Sequence, residues 1–111
     1  MPADTTTHLD VDAMREAAGE ASGLLRMLAH EDRLLLLCQL TEGELCVSDL
    51  EERLDIRQPS LSQQLGVLRR QQLVTTRREG RHIYYRIADA RAQRVLATLY
   101  ELFCNHTGDA S

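Results

Sequence analysis

Three cysteines, four histidines and a basic set made entirely of arginine are the side chains of this chain best suited to chemistry or strong binding. Thiols ligate soft metals or oxidise to disulfides. A soft-metal site takes three or four ligands, so the histidines matter. His8, His30, His82 and His106 show no paired helical spacing, and His82 reads as structural. An unfamiliar site using Cys104 and His106 stays open, but no metal site and no cofactor is expected. Free cysteine is among the residue types most often buried, so Cys38 also reads as a small core residue. Cys46 reads as structural. The carboxylate pairs Glu31-Asp32 and Glu51-Glu52 read as solvated helix faces. There is no phosphate loop, nucleophile elbow, zincin motif or paired-carboxylate site, so an enzyme is not expected. A protein-interaction module is a rival, and it would lack salt-sensitive binding to duplex DNA.

The arginines are the stronger signal. The chain carries a formal net charge of −4, but the charge is unevenly placed. Residues 1–56 hold four arginines against 13 acids, whereas residues 57–94 hold nine arginines against two acids. A basic block in an acidic protein is an electrostatic footprint for a polyanion. Within it lies Arg57-Gln-Pro-Ser-Leu-Ser-Gln-Gln-Leu-Gly-Val-Leu-Arg-Arg70. With Leu61, Leu65 and Leu68 on the core side of a helix, the opposite face carries Gln63, Val67 and Arg70, flanked by Ser60 and Ser62. Glutamine and serine suit base edges in a major groove, and Arg69 and Arg70 suit phosphates. The stretch Arg77-Arg-Glu-Gly-Arg-His-Ile-Tyr-Tyr85 adds a second arginine cluster, suited to phosphates or a minor groove. The expected DNA contacts are Gln58, Ser60, Ser62, Gln63, Arg69, Arg70, Arg78 and Arg81, with Arg77 beside them. The alternative is an ordinary amphipathic surface helix.

These side chains need elements to carry them. Asp10 or Asp12 can cap a first helix reaching about Ala29. Its apolar stripe is Met14, Ala17, Ala18, Ala21, Leu24, Leu25 and Leu28. Gly19 and Gly23 would permit close approach of another helix. A second helix after His30 has a nearly continuous apolar run, Leu34–Leu40, and should be buried on most sides. Leu45-Cys46-Val47 leads into a short third helix. Pro59 opens the fourth, in the first turn where its missing N–H costs nothing. Two β segments follow, Leu73–Arg78 and His82–Ile87, joined through Gly80. Tyr84 and Tyr85 point to opposite faces, one toward the core. A last helix runs from about Asp89 to Cys104, with Val95, Leu96, Leu99, Leu102 and Phe103 forming a wide apolar face. The order α-α-α-α-β-β-α is mainly α with a small hairpin, the winged helix-turn-helix arrangement. One domain is expected over 10–106, with a flexible arm at 1–9 and a flexible tail at 107–111. The start MPADTTTHLD does not read as a signal peptide, and no window has the apolar length of a membrane span. The expectation is a cytoplasmic protein with no membrane partner.

The chain resembles the ArsR/SmtB family of winged-helix repressors from about residue 14 to 104. Leu28-Ala-His-Glu-Asp-Arg-Leu34 looks like the family's L-x-H-x-x-R-L, Pro59–Leu68 like its recognition helix, and Leu73–Ile87 like its wing. The resemblance implies a homodimer held by the first and last helices. It also implies binding to an inverted-repeat operator in double-stranded DNA, and release by an inducer. One family metal site uses C-x-C, but Ser48 stands where its second thiolate would be. Another uses D-x-H, but Asp89 is followed by Arg91, which cannot ligate metal. Leu37-Cys-Gln-Leu40 and Leu99-Tyr-Glu-Leu-Phe-Cys104 resemble instead the sulfide- and persulfide-sensing branch of BigR- and SqrR-like repressors. That resemblance implies that Cys38 and Cys104 are redox-sensing, bridged as a disulfide or polysulfide by reactive sulfur species. The alternative is a family member answering to a metal ion or a general oxidant, or one without an inducer.

Overall fold

The computed structural model describes residues 10–104. The expected arm at 1–9, the tail at 107–111, His8 and His106 lie outside the described residues. Five helices and three strands follow one another: α1 (Val11–Leu28), α2 (Glu31–Leu40), β1 (Leu45–Cys46), α3 (Val47–Leu54), α4 (Ser60–Arg70), β2 (Val74–Glu79), β3 (His82–Ile87) and α5 (Ala90–Phe103).

The helix starts follow from short polar side chains and one ring. The Asp10 carboxylate accepts the Asp12 N–H at 3.2 Å, and His30 Nδ1 accepts the Arg33 N–H at 3.5 Å. The Asp89 carboxylate accepts the N–H groups of Arg91 and Ala92 at 2.8 and 3.2 Å. Each satisfies a donor that the first helical turn leaves unpaired.

The three strands form one antiparallel sheet in the order β1-β3-β2. β1 was not expected. Leu45 pairs with Tyr85 and Cys46 with Tyr84. Two residues are too few to show a period of two, so only the pairing reveals this strand. β2 also starts and ends one residue later than the sequence suggested, at Val74 and Glu79. The hairpin turns through Gly80 and Arg81, and Gly80 takes φ +65°, a conformation glycine adopts without a Cβ penalty.

The core is leucine-rich. Leu36, Leu37 and Leu40 of α2, Leu50 of α3, Leu61, Leu65 and Leu68 of α4 and Leu96 of α5 are all essentially inaccessible. Burial of each such side chain contributes about 1.5–3 kcal/mol before entropy. α2 packs against α1, α3, α4, α5 and β3, so it is the hub of the domain. Its burial is less complete than the apolar run suggested, because Leu35 remains 41% exposed. In α1 only Leu28 is buried, while Val11, Met14 and Leu25 face outward. Among the described residues no helix is long and apolar enough to cross a membrane.

Candidate nucleic-acid interface and thiol cleft

α4 takes the orientation that its apolar spacing requires. Leu61, Leu65 and Leu68 are buried, and Ser62, Gln63, Arg69 and Arg70 are exposed on the other side. α2 fastens this helix from behind. The Ser60 hydroxyl donates to Asp32 Oδ2 at 3.5 Å, and the Arg33 guanidinium donates to Gln64 Oε1 at 3.3 Å. Arg33 also donates through Nε to the Met27 carbonyl at 2.9 Å, so it ties α1, α2 and α4 together. Ser60 is therefore half-buried and engaged with α2, unlike Ser62 and Gln63. The Ser62 hydroxyl donates to Gln58 Oε1, and Gln58 Nε2 donates to Glu51 Oε2 at 3.1 Å. Gln58 thus joins α3 to the first turn of α4. Arg33 and Gln64 carry out structural work that the sequence reading did not assign.

The hairpin β2–β3 stands beside α4. Tyr85 packs against the core, while Tyr84 lies on the opposite face with the His82 ring 6.2 Å away. Arg78 and Arg81 are exposed. Among the described residues neither they nor Arg69 and Arg70 form an ion pair. Arg77 differs, because its guanidinium is held by Glu44 and Glu79. Glu44, which precedes β1, was missed by the sequence reading. A partner 33 positions away leaves no local pattern.

The thiols have separate fates. Cys46 is buried, and its Sγ donates to Asp49 Oδ2 at 3.3 Å and lies 3.3 Å from Ser48 Oγ. Its backbone N–H donates to the same Asp49 oxygen. The Cys46 thiol first, and then its N–H, hold the Asp49 carboxyl below its ordinary range. This is a helix-start arrangement for α3. Cys38 and Cys104 instead line one cleft of about 650 Å³ between α2 and α5, with Leu35, Gln93, Leu96 and Tyr100 among its walls. Both are free thiols, Cys38 half-buried and Cys104 exposed at the end of α5. Burial, and then the charge of Cys104, push the Cys38 thiol up from its ordinary value. Among the described residues no three His, Cys, Asp or Glu side chains are grouped so as to hold a metal ion.

A buried two-helix unit, its second helix displaying Ser, Gln and Arg, with an arginine-tipped hairpin alongside, defines a winged-helix DNA-binding protein. Residues 30–76 match the family model described as bacterial regulatory protein, arsR family. The chain is 51% identical over 96 residues to the biofilm growth-associated repressor of Agrobacterium fabrum, covering 86% of this chain and 82% of that protein. The crystal structure of the transcriptional repressor BigR from Xylella fastidiosa superposes with a TM-score of 0.80 at 45% identity, covering 86% of this chain and 98% of that one. A structure described as reduced HlyU from Vibrio cholerae gives a TM-score of 0.80 at 36% identity, covering 84% and 98%. The chain belongs to the arsR family of bacterial regulatory proteins. It is a transcriptional repressor of the winged-helix type rather than an enzyme.

Proposed function

We propose that this repressor binds an inverted-repeat operator as a homodimer and releases it when Cys38 and Cys104 are bridged by reactive sulfur species. The observation that carries the reading is that these two thiols, on different helices, line the same cleft. The third thiol, Cys46, is occupied at the start of α3. The description of one solved relative as reduced HlyU supports a redox reading.

The chemistry balances with an organic persulfide as oxidant. One cysteine thiolate attacks the sulfane sulfur of the organic persulfide, giving a protein persulfide and the organic thiol. The other cysteine thiolate then attacks the inner sulfur, the first cysteine's own Sγ, which forms the disulfide, breaks the Sγ–SH bond and expels hydrogen sulfide. When both cysteines are persulfidated, the outer sulfur of one attacks the Sγ of the other and expels hydrogen sulfide, leaving a bridge longer by one sulfur. Two sulfurs can bridge only if the Cα atoms lie about 4.4–6.8 Å apart, so bond formation fixes the spacing of α2 and α5. α5 also offers its apolar end to the proposed dimer contact. A shift there changes the distance between the two α4 helices, which must match one DNA turn of roughly 34–36 Å. In a reducing cytoplasm such a bridge is transient and regulatory. On this reading Gln58, Ser62 and Gln63 face bases, with Ser60 at the margin. Arg69, Arg70, Arg78 and Arg81 face phosphates.

The test is binding of the reduced protein to the promoter duplex upstream of its own gene, before and after an organic persulfide. Cys38→Ser and Cys104→Ser are run alongside, with zinc, cadmium and arsenite as controls. Wild type should lose the duplex on persulfide while both variants bind and fail to respond. Variants that respond like wild type, or release only by metals, defeat the dithiol switch and leave the repressor standing.

A further inference from the structure

Arg77 lies in a stretch whose composition suggests DNA contact, yet the protein itself occupies its guanidinium. Nε donates to Glu44 Oε1 at 3.0 Å and to Oε2 at 3.2 Å. One terminal nitrogen donates to Glu44 Oε1 at 2.6 Å, and the other to Glu79 Oε1 at 2.8 Å. The guanidinium carbon lies 4.8 Å from the centroid of the Tyr84 ring. Arg77 sits on β2 opposite Tyr84 of β3, and Glu44 immediately precedes β1, which pairs on the far side of β3. The side chain therefore straps the outer strand of the wing, across the middle strand, to the loop that follows α2.

Single exposed ion pairs stabilise little, but a bidentate pair within a network fixes an orientation. Here one guanidinium meets two carboxylates and an aromatic face. The Arg77 hydrogen bond holds the Glu44 carboxyl below its ordinary range. Arg78 and Arg81, further out on the hairpin, have no such partner among the described residues. The hairpin is otherwise a two-stranded ribbon at its tip, where β1 does not reach, so its angle to the domain needs a tie.

We propose that Glu44 and Arg77 are wing-positioning residues for operator binding: their clamp sets the angle at which the hairpin presents Arg78 and Arg81 to the DNA backbone, and Arg77 makes no phosphate contact of its own. The inference concerns the DNA-binding step and does not depend on the thiol switch.

Charge supplies a decisive sign. Removing the negative Glu44 makes the protein less repulsive to DNA, so a purely electrostatic role predicts tighter binding by Glu44→Gln. The clamp predicts weaker binding. The experiment measures affinity of the reduced, full chain for the same promoter duplex as a function of salt. It compares wild type, Glu44→Gln, Arg77→Gln, Arg77→Lys and the Glu44→Gln/Arg77→Gln pair. The expected result is weakening by about tenfold in each single variant, with the pair no weaker than Arg77→Gln alone. Arg77→Lys, which keeps the charge but loses the planar fork, should behave like Arg77→Gln. A displaced wing withdraws Arg78 and Arg81 from phosphates, so the salt slope should flatten to the same extent in Glu44→Gln, Arg77→Gln and Arg77→Lys. The proposal is overturned if Glu44→Gln binds as well as or better than wild type, if Arg77→Lys binds as wild type, or if Arg77→Gln flattens the salt slope while Glu44→Gln keeps the wild-type slope, the signature of a phosphate contact made by Arg77 itself.

Discussion

Asp89 illustrates how much one side chain decides at the residue scale. It accepts two backbone N–H groups at the start of α5 and pairs with the Arg91 guanidinium at 3.3 Å. The Arg91 hydrogen bond first, and then the backbone donors, hold its carboxyl below the ordinary range. A depressed folded value means that the carboxylate form stabilises the fold. That contribution is complete above the unfolded value of about 4 and is lost as pH falls through the lower, folded value. Asp89→Ala should cost about 1 kcal/mol at neutral pH. Its stability should also fall less than that of wild type between about pH 5 and pH 2, both read from denaturant midpoints by circular dichroism. The sequence made Asp89 legible as a helix start. It could not show that Arg91 also reaches Glu20 of α1 at 3.4 Å, because that pair joins opposite ends of the chain.

At the scale of elements, α4 and the wing form the proposed reading unit. The three-and-four spacing of Leu61, Leu65 and Leu68 decided which face of α4 is buried, and hence that Ser62, Gln63, Arg69 and Arg70 are outward. Orientation of the helix against α2 was not legible, since it depends on Asp32 and Arg33 meeting Ser60 and Gln64. Arg78→Ala and Arg81→Ala should each weaken binding evenly across duplex sequences and flatten the salt dependence by about 0.9 in slope. Gln63→Ala should instead cost about 1–3 kcal/mol at one base step and relax preference there with the salt slope unchanged. Fluorescence anisotropy over a salt series, with single-base variants of the duplex, separates these outcomes.

At the scale of the whole molecule, the apolar surface is unevenly distributed. Met14 and Leu25 on α1, and Tyr100 and Leu102 on α5, are all more than half exposed. They belong to the first and last helices, the two that the proposed homodimer uses. Leu102→Asp should raise the dimer dissociation constant by about tenfold or more, measured by sedimentation equilibrium. Operator binding should then fall while the helical signal of the monomer persists. A dimer of unchanged affinity would move the interface away from the end of α5.

The sequence by itself determined whatever depends on near neighbours along the chain. Apolar spacing set the helices and the inner face of α4, and Gly80 set the hairpin turn. The run of arginines after residue 56 marked the half proposed to bind DNA. Tertiary structure alone decided what depends on distance through space between residues far apart in sequence. It paired Leu45 and Cys46 with β3, and it left Leu35 partly uncovered. It brought Cys38 and Cys104 to one cleft, and it paired Arg77 with Glu44. The physical reason is that periodicity reports which face of an element avoids water. The partner of an individual charge or thiol is fixed only when whole elements pack.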